Sequence, residues 1–349
     1  MMNITFGHFF LKISLLSILS FFRGPDFYSE KGIKIEQINS AIQKGKKFLQ
    51  DIQRFDGAIC DTVNPLFETW ETVLAAEALY QTKSSHDEQA FLKAMAFLKH
   101  NENDDGLLCH NKKCSKAYCI ETSSAYFQLL GAMGESGKVR QSIQNIVSLQ
   151  QNTGQWFVGN PDVHENKDFS SVTAFALNCL QKASVKAYYI DQSLSWLLNK
   201  QTPEGDWGSS WEYYGIPGYA LWPILQTLHD HSSKEVETSK KKAVRYILSN
   251  QLDDGSWKHK NKNEHIKQPS TELQTGLMLS ALGYADYDAH QESFARGIDF
   301  LLQHQLKSGA WDGGYFPIES ARYEKKEYIF ATSRILCLLN NYLDFLKQN

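Results

Sequence analysis

Acids and small hydroxyls recur at one kind of place along this chain: Glu68-Thr69-Trp70-Glu71-Thr72, Glu121-Thr122-Ser123-Ser124, Asp168-Phe169-Ser170-Ser171, Ser270-Thr271-Glu272 and Glu327-Tyr328. Each group opens a stretch whose apolar residues follow a helical period. Helix N-termini favour these residue types whatever the function, because they satisfy free N–H groups and oppose the helix dipole. If several such N-termini converge, the carboxyls meet in a partly desolvated space, where a carboxylic acid keeps its proton at neutral pH and serves as a general acid. Glu121 is the first candidate for that role and Asp168 the second. Aromatic residues stand at the same level, among them Phe127, Phe175 and Phe330. A pocket lined by Trp70, Tyr126, Trp211, Tyr213, Tyr214, Tyr219, Trp222, Phe316 and Tyr328 would stabilise a carbocation without trapping it, since aromatic faces attract positive charge. The run from 211 to 222 is the most aromatic of these, hinged by glycine and largely loop.

The elements that must position these residues are set by a repeat. Gln-x3-Gly-x-Trp occurs at Gln150 to Trp156, Gln201 to Trp207, Gln251 to Trp257 and Gln305 to Trp311. Decayed copies lie at Gln53 to Gly57, followed by Ile59, and at Glu102 to Gly106, followed by Leu108. The period is roughly 50 residues. Mechanically, a helix ends near the Gln, the Gly makes the turn, and the Trp folds back as an apolar plate that staples one repeat to the next. Helices that run into each motif, over 41–53, 91–99, 194–201, 243–251 and 294–305, alternate apolar and charged residues and should be half-exposed. Those that follow, over 68–80, 121–133, 170–180, 218–228, 271–284 and 327–346, are poor in charge and should be buried. Six buried and six half-exposed helices in alternation predict an all-α (α/α)6 toroid over 35–347, with its loops gathered at one end as the mouth of a pocket.

Composition excludes several classes. The 349 residues carry a net charge of −3, with no basic stripe, which gives no reason to expect a nucleic-acid partner. Six cysteines in a chain this long do not make a disulfide framework and read as reduced thiols in a reducing compartment. Cys109, His110, Cys114 and Cys119 lack the two separated close pairs of a zinc module, so neither metal nor cofactor is expected. Residues 1–30 form an apolar N-terminal segment whose run 9–22 is too short to span a bilayer. A polar stripe of Ser14, Ser17 and Ser20 suits a helix lying on a membrane surface or docking on the toroid, and the flanks make a weaker match to a secretory signal. Cytoplasmic residence, with or without membrane contact, is the expectation.

The repeats resemble those of squalene-hopene cyclases and related class II terpene cyclases, and the likeness continues between them. Asn64-Pro-Leu-Phe-Glu-Thr-Trp, Phe169-Ser-Ser-Val-Thr-Ala-Phe, Gly205-Asp-Trp-Gly-Ser-Ser-Trp-Glu-Tyr-Tyr-Gly, Pro269-Ser-Thr-Glu-Leu-Gln-Thr and Gly314-Tyr-Phe-Pro are similar to segments of that family, in family order, over roughly residues 40 to 345. The resemblance covers the domain that carries the acid in the full-length enzymes; the second barrel has no counterpart. It implies cyclisation of a polyprenyl chain, squalene-like or shorter, by acid-initiated carbocation chemistry. The family's Asp-x-Asp-Asp-Thr-Ala motif falls on Ile120-Glu121-Thr122-Ser123-Ser124-Ala125, so a hydroxyl residue replaces the protonating aspartate. Glu121 lies one step away, and a step of one residue turns a helical side chain by about 100°.

Other readings use the same ring. A toroid that lost its acid would bind an isoprenoid or a protein partner, such as one carrying the missing barrel. A carbohydrate lyase or hydrolase would use the carboxylates at Glu68, Glu71, Glu121, Asp168 and Glu272. A protein prenyltransferase β subunit would need a zinc trio that the last two buried helices do not present.

Overall fold

The computed structural model describes residues 25–60, 67–82, 88–111, 118–159, 169–183, 187–208, 216–258, 268–286, 288–316 and 326–348. Among them are twelve α-helices and no strand, only isolated β-bridges. Six form an outer layer: α1 (Pro25–Asp51), α3 (Glu88–His100), α5 (Ser136–Ser148), α7 (Ala187–Asn199), α9 (Lys234–Ser249) and α11 (Gln291–Gln303). Six form the inner layer: α2 (Glu68–Gln81), α4 (Ile120–Ala132), α6 (Ser170–Lys182), α8 (Gly218–His229), α10 (Thr271–Ala285) and α12 (Ile329–Gln348). Each inner helix packs on the next, and α12 packs back on α2, so the ring is closed.

The two layers differ as their sequences dictate. In α6 every residue from Ser170 to Leu180 is buried, because an inner helix meets neighbours on all sides. In α11 burial falls on Ser293, Phe294, Gly297, Ile298, Phe300 and Leu301, one stripe of an amphipathic helix. The first outer helix starts earlier than its apolar pattern, at Pro25, and so takes in the end of the segment assigned to 1–30. No described helix is long and apolar enough to cross a membrane.

The repeat motif is a clasp whose parts each have a partner. Trp156, Trp207, Trp257 and Trp311 are buried, and their indole N–H groups donate to the carbonyls of Ile146, Leu197, Ile247 and Leu301 at 2.7–2.8 Å. The Gln amide donates twice: back to the Gly carbonyl of its own motif, and across to a backbone carbonyl of the next outer helix. Gln201 reaches Ser239 O, Gln251 reaches Ser293 O, and Gln305 reaches Ala41 O at 2.9 Å, which ties the last repeat to the first.

The hydroxyls of the inner helices complete the clasp. Thr173, Thr275 and Thr332 accept the backbone N–H of Trp156, Trp257 and Trp311, and Thr72 and Ser123 do the same for Ile59 and Leu108 in the decayed copies. These side chains are therefore committed to architecture. Thr275→Val keeps the volume and strands the Trp257 N–H; leaving a buried donor unsatisfied costs about 1–3 kcal/mol. Urea denaturation of the variant should show that loss, and an unchanged midpoint would mean that the bond carries no weight.

The expectation of six reduced thiols is overturned at one position. Cys60, Cys119, Cys179 and Cys337 are free and buried, but Cys109 is disulfide-bonded, to a partner outside the described residues. It lies in the loop behind the clasp at Gly106, and this loop also serves α2: the carbonyl of the adjacent His110 accepts the N–H of Thr69 at 3.1 Å.

Candidate active site

Four inner helices and one loop bring aromatic rings together near the inner-helix N-termini. Trp70 comes from α2, Phe175 from α6, Tyr219 and Trp222 from α8, Phe330 from α12, and Phe316 from the loop after the last clasp. Ring centroids lie 4.7 Å apart for Trp70 and Phe330, 4.9 Å for Phe316 and Phe330, 5.2 Å for Tyr219 and Phe316, and 5.4 Å for Phe175 and Trp222. None of the six is more than 6% exposed. Such a set presents several π faces and edges in a desolvated space, where attraction for a cation is strongest. The indole nitrogens of Trp70 and Trp222 are buried without an acceptor among the described residues.

Carboxyls at the inner-helix N-termini are buried as well. Glu68, Glu71, Glu121 and Glu327 are at most 8% exposed. Glu121 accepts from the Ser171 hydroxyl at 3.1 Å, across from α4 to α6. Burial, with the Glu121 charge second, pushes the Cys119 thiol up to about 11. Glu68 turns toward the first clasp, where Arg54 bridges it and Asp56.

Glu327 stands just before α12 and caps it, its two carboxyl oxygens accepting the N–H groups of Phe330 and Ala331. Burial and, next, the charge of Glu71 push its pKa up to about 8, against the pull of those N–H groups. Among the described residues no three of His, Cys, Asp and Glu stand close enough to share a metal ion.

Deeper in the ring lies a buried cation. The Arg334 guanidinium of α12 donates to Glu77 of α2 at 2.7 Å and stacks on Trp222 with its carbon 3.8 Å from the ring centroid. Its charge is held by both contacts, and its Nε has no acceptor among the described residues.

Set against the residues expected from sequence, the structure brings Trp70, Tyr219, Trp222 and Phe316 together, with Phe175 and Phe330. Glu121 is buried, with the Ser171 hydroxyl as a partner. The Tyr126 hydroxyl donates to Glu102 at 2.7 Å, which ties this buried ring to the decayed clasp. The clasp lacks its Gln there, and the Tyr126–Glu102 bond joins α4 to it instead. Tyr328 is half-buried and outside the ring contacts just described. Asp168, Trp211, Tyr213 and Tyr214 lie outside the described residues. Sequence reasoning began the last inner helix at Glu327; a β-bridge to Gly314 holds this residue two positions before the helix, as a cap. It also missed Glu77 and Arg334, whose only signal is one charge in the otherwise uncharged middle of each of two inner helices.

The squalene-hopene cyclase C-terminal domain family matches residues 166–331. Lanosterol synthase ERG7 of Saccharomyces cerevisiae is 31% identical over 126 residues, 34% of this chain and 17% of that protein. The squalene-hopene cyclase of Bradyrhizobium diazoefficiens is 29% identical over 133 residues, 36% of this chain and 19% of its own length. The chain thus spans about a fifth of the length of the curated relatives it matches. Among solved structures, the type II terpene cyclase MstE from Scytonema, in complex with geranylgeranyl dihydroxybenzoate, superposes with a TM-score of 0.73 at 17% identity, covering 90% of this chain and 99% of that one. Clasps, ring and matched segments point the same way: residues 166–331 are similar to the squalene-hopene cyclase C-terminal domain family, and the ring is the fold seen in a type II terpene cyclase.

Proposed function

We propose that this chain closes rings on a polyprenyl substrate, squalene-like or shorter, by protonating an alkene or epoxide and guiding the resulting carbocation along aromatic walls. The observation that carries this reading is the buried aromatic set of Trp70, Tyr219, Trp222, Phe316 and Phe330, on a ring whose inner-helix N-termini also hold buried carboxyls. A cation formed there meets π faces rather than water, and the acid that forms it gives up its proton in a site that disfavours carboxylate charge. Sequence assigns that acid to Glu121 first and Asp168 second, with Tyr126, Trp211, Tyr213, Tyr214 and Tyr328 completing the wall. The names of the relatives support the substrate class. The reading treats 35–347 as one toroid acting alone.

Residues 9–22 fit a surface contact that would bring the enzyme to a membrane-dissolved substrate. Cytoplasmic residence, the placement taken from sequence, is opposed by the Cys109 disulfide, since such bonds persist in oxidising compartments.

The test is incubation with squalene, its epoxide and shorter prenyl substrates, followed by mass spectrometry of the extracted lipids. A cyclised product absent from the no-enzyme control is the expected result. One observation favours a second reading, a toroid that binds isoprenoids without turning them over: Arg334 already occupies one face of Trp222 and would repel a second cation. Tight binding with no product from any substrate would select that reading.

A further inference from the structure

Three inner helices repeat one pattern beneath the aromatic set. Phe330 is followed four positions later by Arg334 on α12, Tyr219 three positions later by Trp222 on α8, and Trp70 seven positions later by Glu77 on α2. Each spacing keeps the two side chains on one helix face, one or two turns apart. The faces that build the aromatic set therefore also build the layer below it, and the contacts agree. The Arg334 guanidinium lies 3.8 Å from the Trp222 ring centroid and donates to Glu77 at 2.7 Å. Trp222 stays in ring contact with the set, 5.4 Å from Phe175 and 6.5 Å from Phe330.

This layer holds two donors that the protein itself does not satisfy. Arg334 and Trp222 are 4% and 3% exposed, yet Arg334 Nε and Trp222 Nε1 have no acceptor among the described residues. A buried donor without a partner is costly, and folded chains rarely keep one, so two on stacked groups call for a ligand. The guanidinium cannot turn to find an acceptor, because the Glu77 bond and the Trp222 face fix its plane. Its charge, by contrast, is already met. One Glu77 oxygen accepts from Arg334, and the other accepts from the Gln81 amide at 3.0 Å.

We infer that this layer binds a neutral oxygen of the substrate, the hydroxyl of a prenyl alcohol or phenol, which accepts from Arg334 Nε–H and Trp222 Nε1–H. A hydroxyl oxygen has the two lone pairs that two donors need. A carboxylate or phosphate would set two buried negative charges against one guanidinium. The inference rests on the cyclase reading above and narrows its substrate to prenyl chains that end in an oxygen. Anchored there, the chain runs past Phe330, Tyr219 and Trp70 toward the inner-helix N-termini, where the buried carboxyls stand. The carbocation then forms at the end of the chain far from Arg334, so the guanidinium holds one end of the substrate without opposing charge at the other.

Equilibrium binding to the full chain tests this without turnover. The probes are farnesol, the hydrocarbon of the same skeleton without the hydroxyl, and farnesoic acid at neutral pH. Wild type should bind farnesol about tenfold or more tightly than the hydrocarbon, the range of a hydrogen bond from a charged donor, and more tightly than the acid. Trp222→Phe keeps an aromatic ring and removes one donor, so it should cut that preference by about threefold to tenfold with hydrocarbon affinity little changed. Arg334→Met combined with Glu77→Gln removes the other donor without stranding a buried carboxylate, and should also cut it. A change of cavity shape moves both ligands together, so the ratio separates hydrogen bonding from packing.

Equal affinity for farnesol and the hydrocarbon in wild type, a ratio that survives both substitutions, or tighter binding of the acid would each overturn the inference. The expected ratio with no cyclised product from any prenyl substrate would keep the inference and remove the cyclase reading. Cyclisation of squalene by a protein that shows no such ratio would do the reverse.

Discussion

Gly309→Ala is expected to lower the stability of the fold by about 3–5 kcal/mol, the sum of two costs that this position cannot avoid. Its φ of +93° lies in the left-handed region, where a Cβ is strained. An added methyl would also stand 2.6 Å from the carbonyl carbon of Lys44 and closer still to its oxygen, and this is backbone of α1 that no rotamer change can move. The clasp at Gly309 is the one whose Gln305 reaches Ala41, so the clash falls on the seam that closes the ring. Gly134 provides the control. It has φ of +84° and nothing within 4 Å of an added Cβ, so Gly134→Ala should cost only the conformational part, about 1 kcal/mol. Urea denaturation of both variants checks the ordering. Equal losses would mean that close approach contributes nothing and that the seam yields freely.

That seam also shows how much of the fold can be read from residues alone. Spacing of the repeat motif located all six outer-helix ends within two residues: Gln53, Glu102, Gln150, Gln201, Gln251 and Gln305 each follow a helix that ends two positions earlier. Charge-poor stretches identified the inner helices because burial on all sides leaves no place for a solvated face. The hydroxyls were harder. Thr72, Ser123, Thr173, Thr275 and Thr332 stand where a helix cap or a pocket wall would, yet each bonds a backbone group 13 to 21 residues upstream, beyond the reach of a local pattern.

The candidate site divides along the same line. Trp70, Tyr219, Trp222 and Phe316 were legible because aromatics at inner-helix starts must meet where the helices converge. Tyr126 has the same address, and the bond of its hydroxyl to Glu102 in the decayed clasp could not be read from spacing. Glu77 and Arg334 are 257 residues apart, so only the closed ring makes them partners.

Glu327 should make the protein less stable as pH rises from about 4.5 to about 8, and Glu327→Gln should remove that dependence. The free carboxyl has its usual value of 4.5, while in the folded chain burial and Glu71 raise it to about 8. Between those values the unfolded chain has released the proton that the native state still binds. The native state therefore holds more protons, and stability falls with pH. The contribution is fully present below about 4.5, declines by about 1.4 kcal/mol per pH unit, and is spent above about 8, on the order of 5 kcal/mol in all.

Other groups titrate over the same range, so the quantity to measure is the difference between wild type and Glu327→Gln in urea denaturation at several pH values. Gln still offers one oxygen to the N–H groups of Phe330 and Ala331, so the variant keeps part of the cap while losing the charge. At low pH wild type should be at least as stable as the variant. By about pH 8 the balance should shift toward the variant by several kcal/mol. A difference that stays constant across that range would mean that Glu327 ionises as easily in the ring as in water.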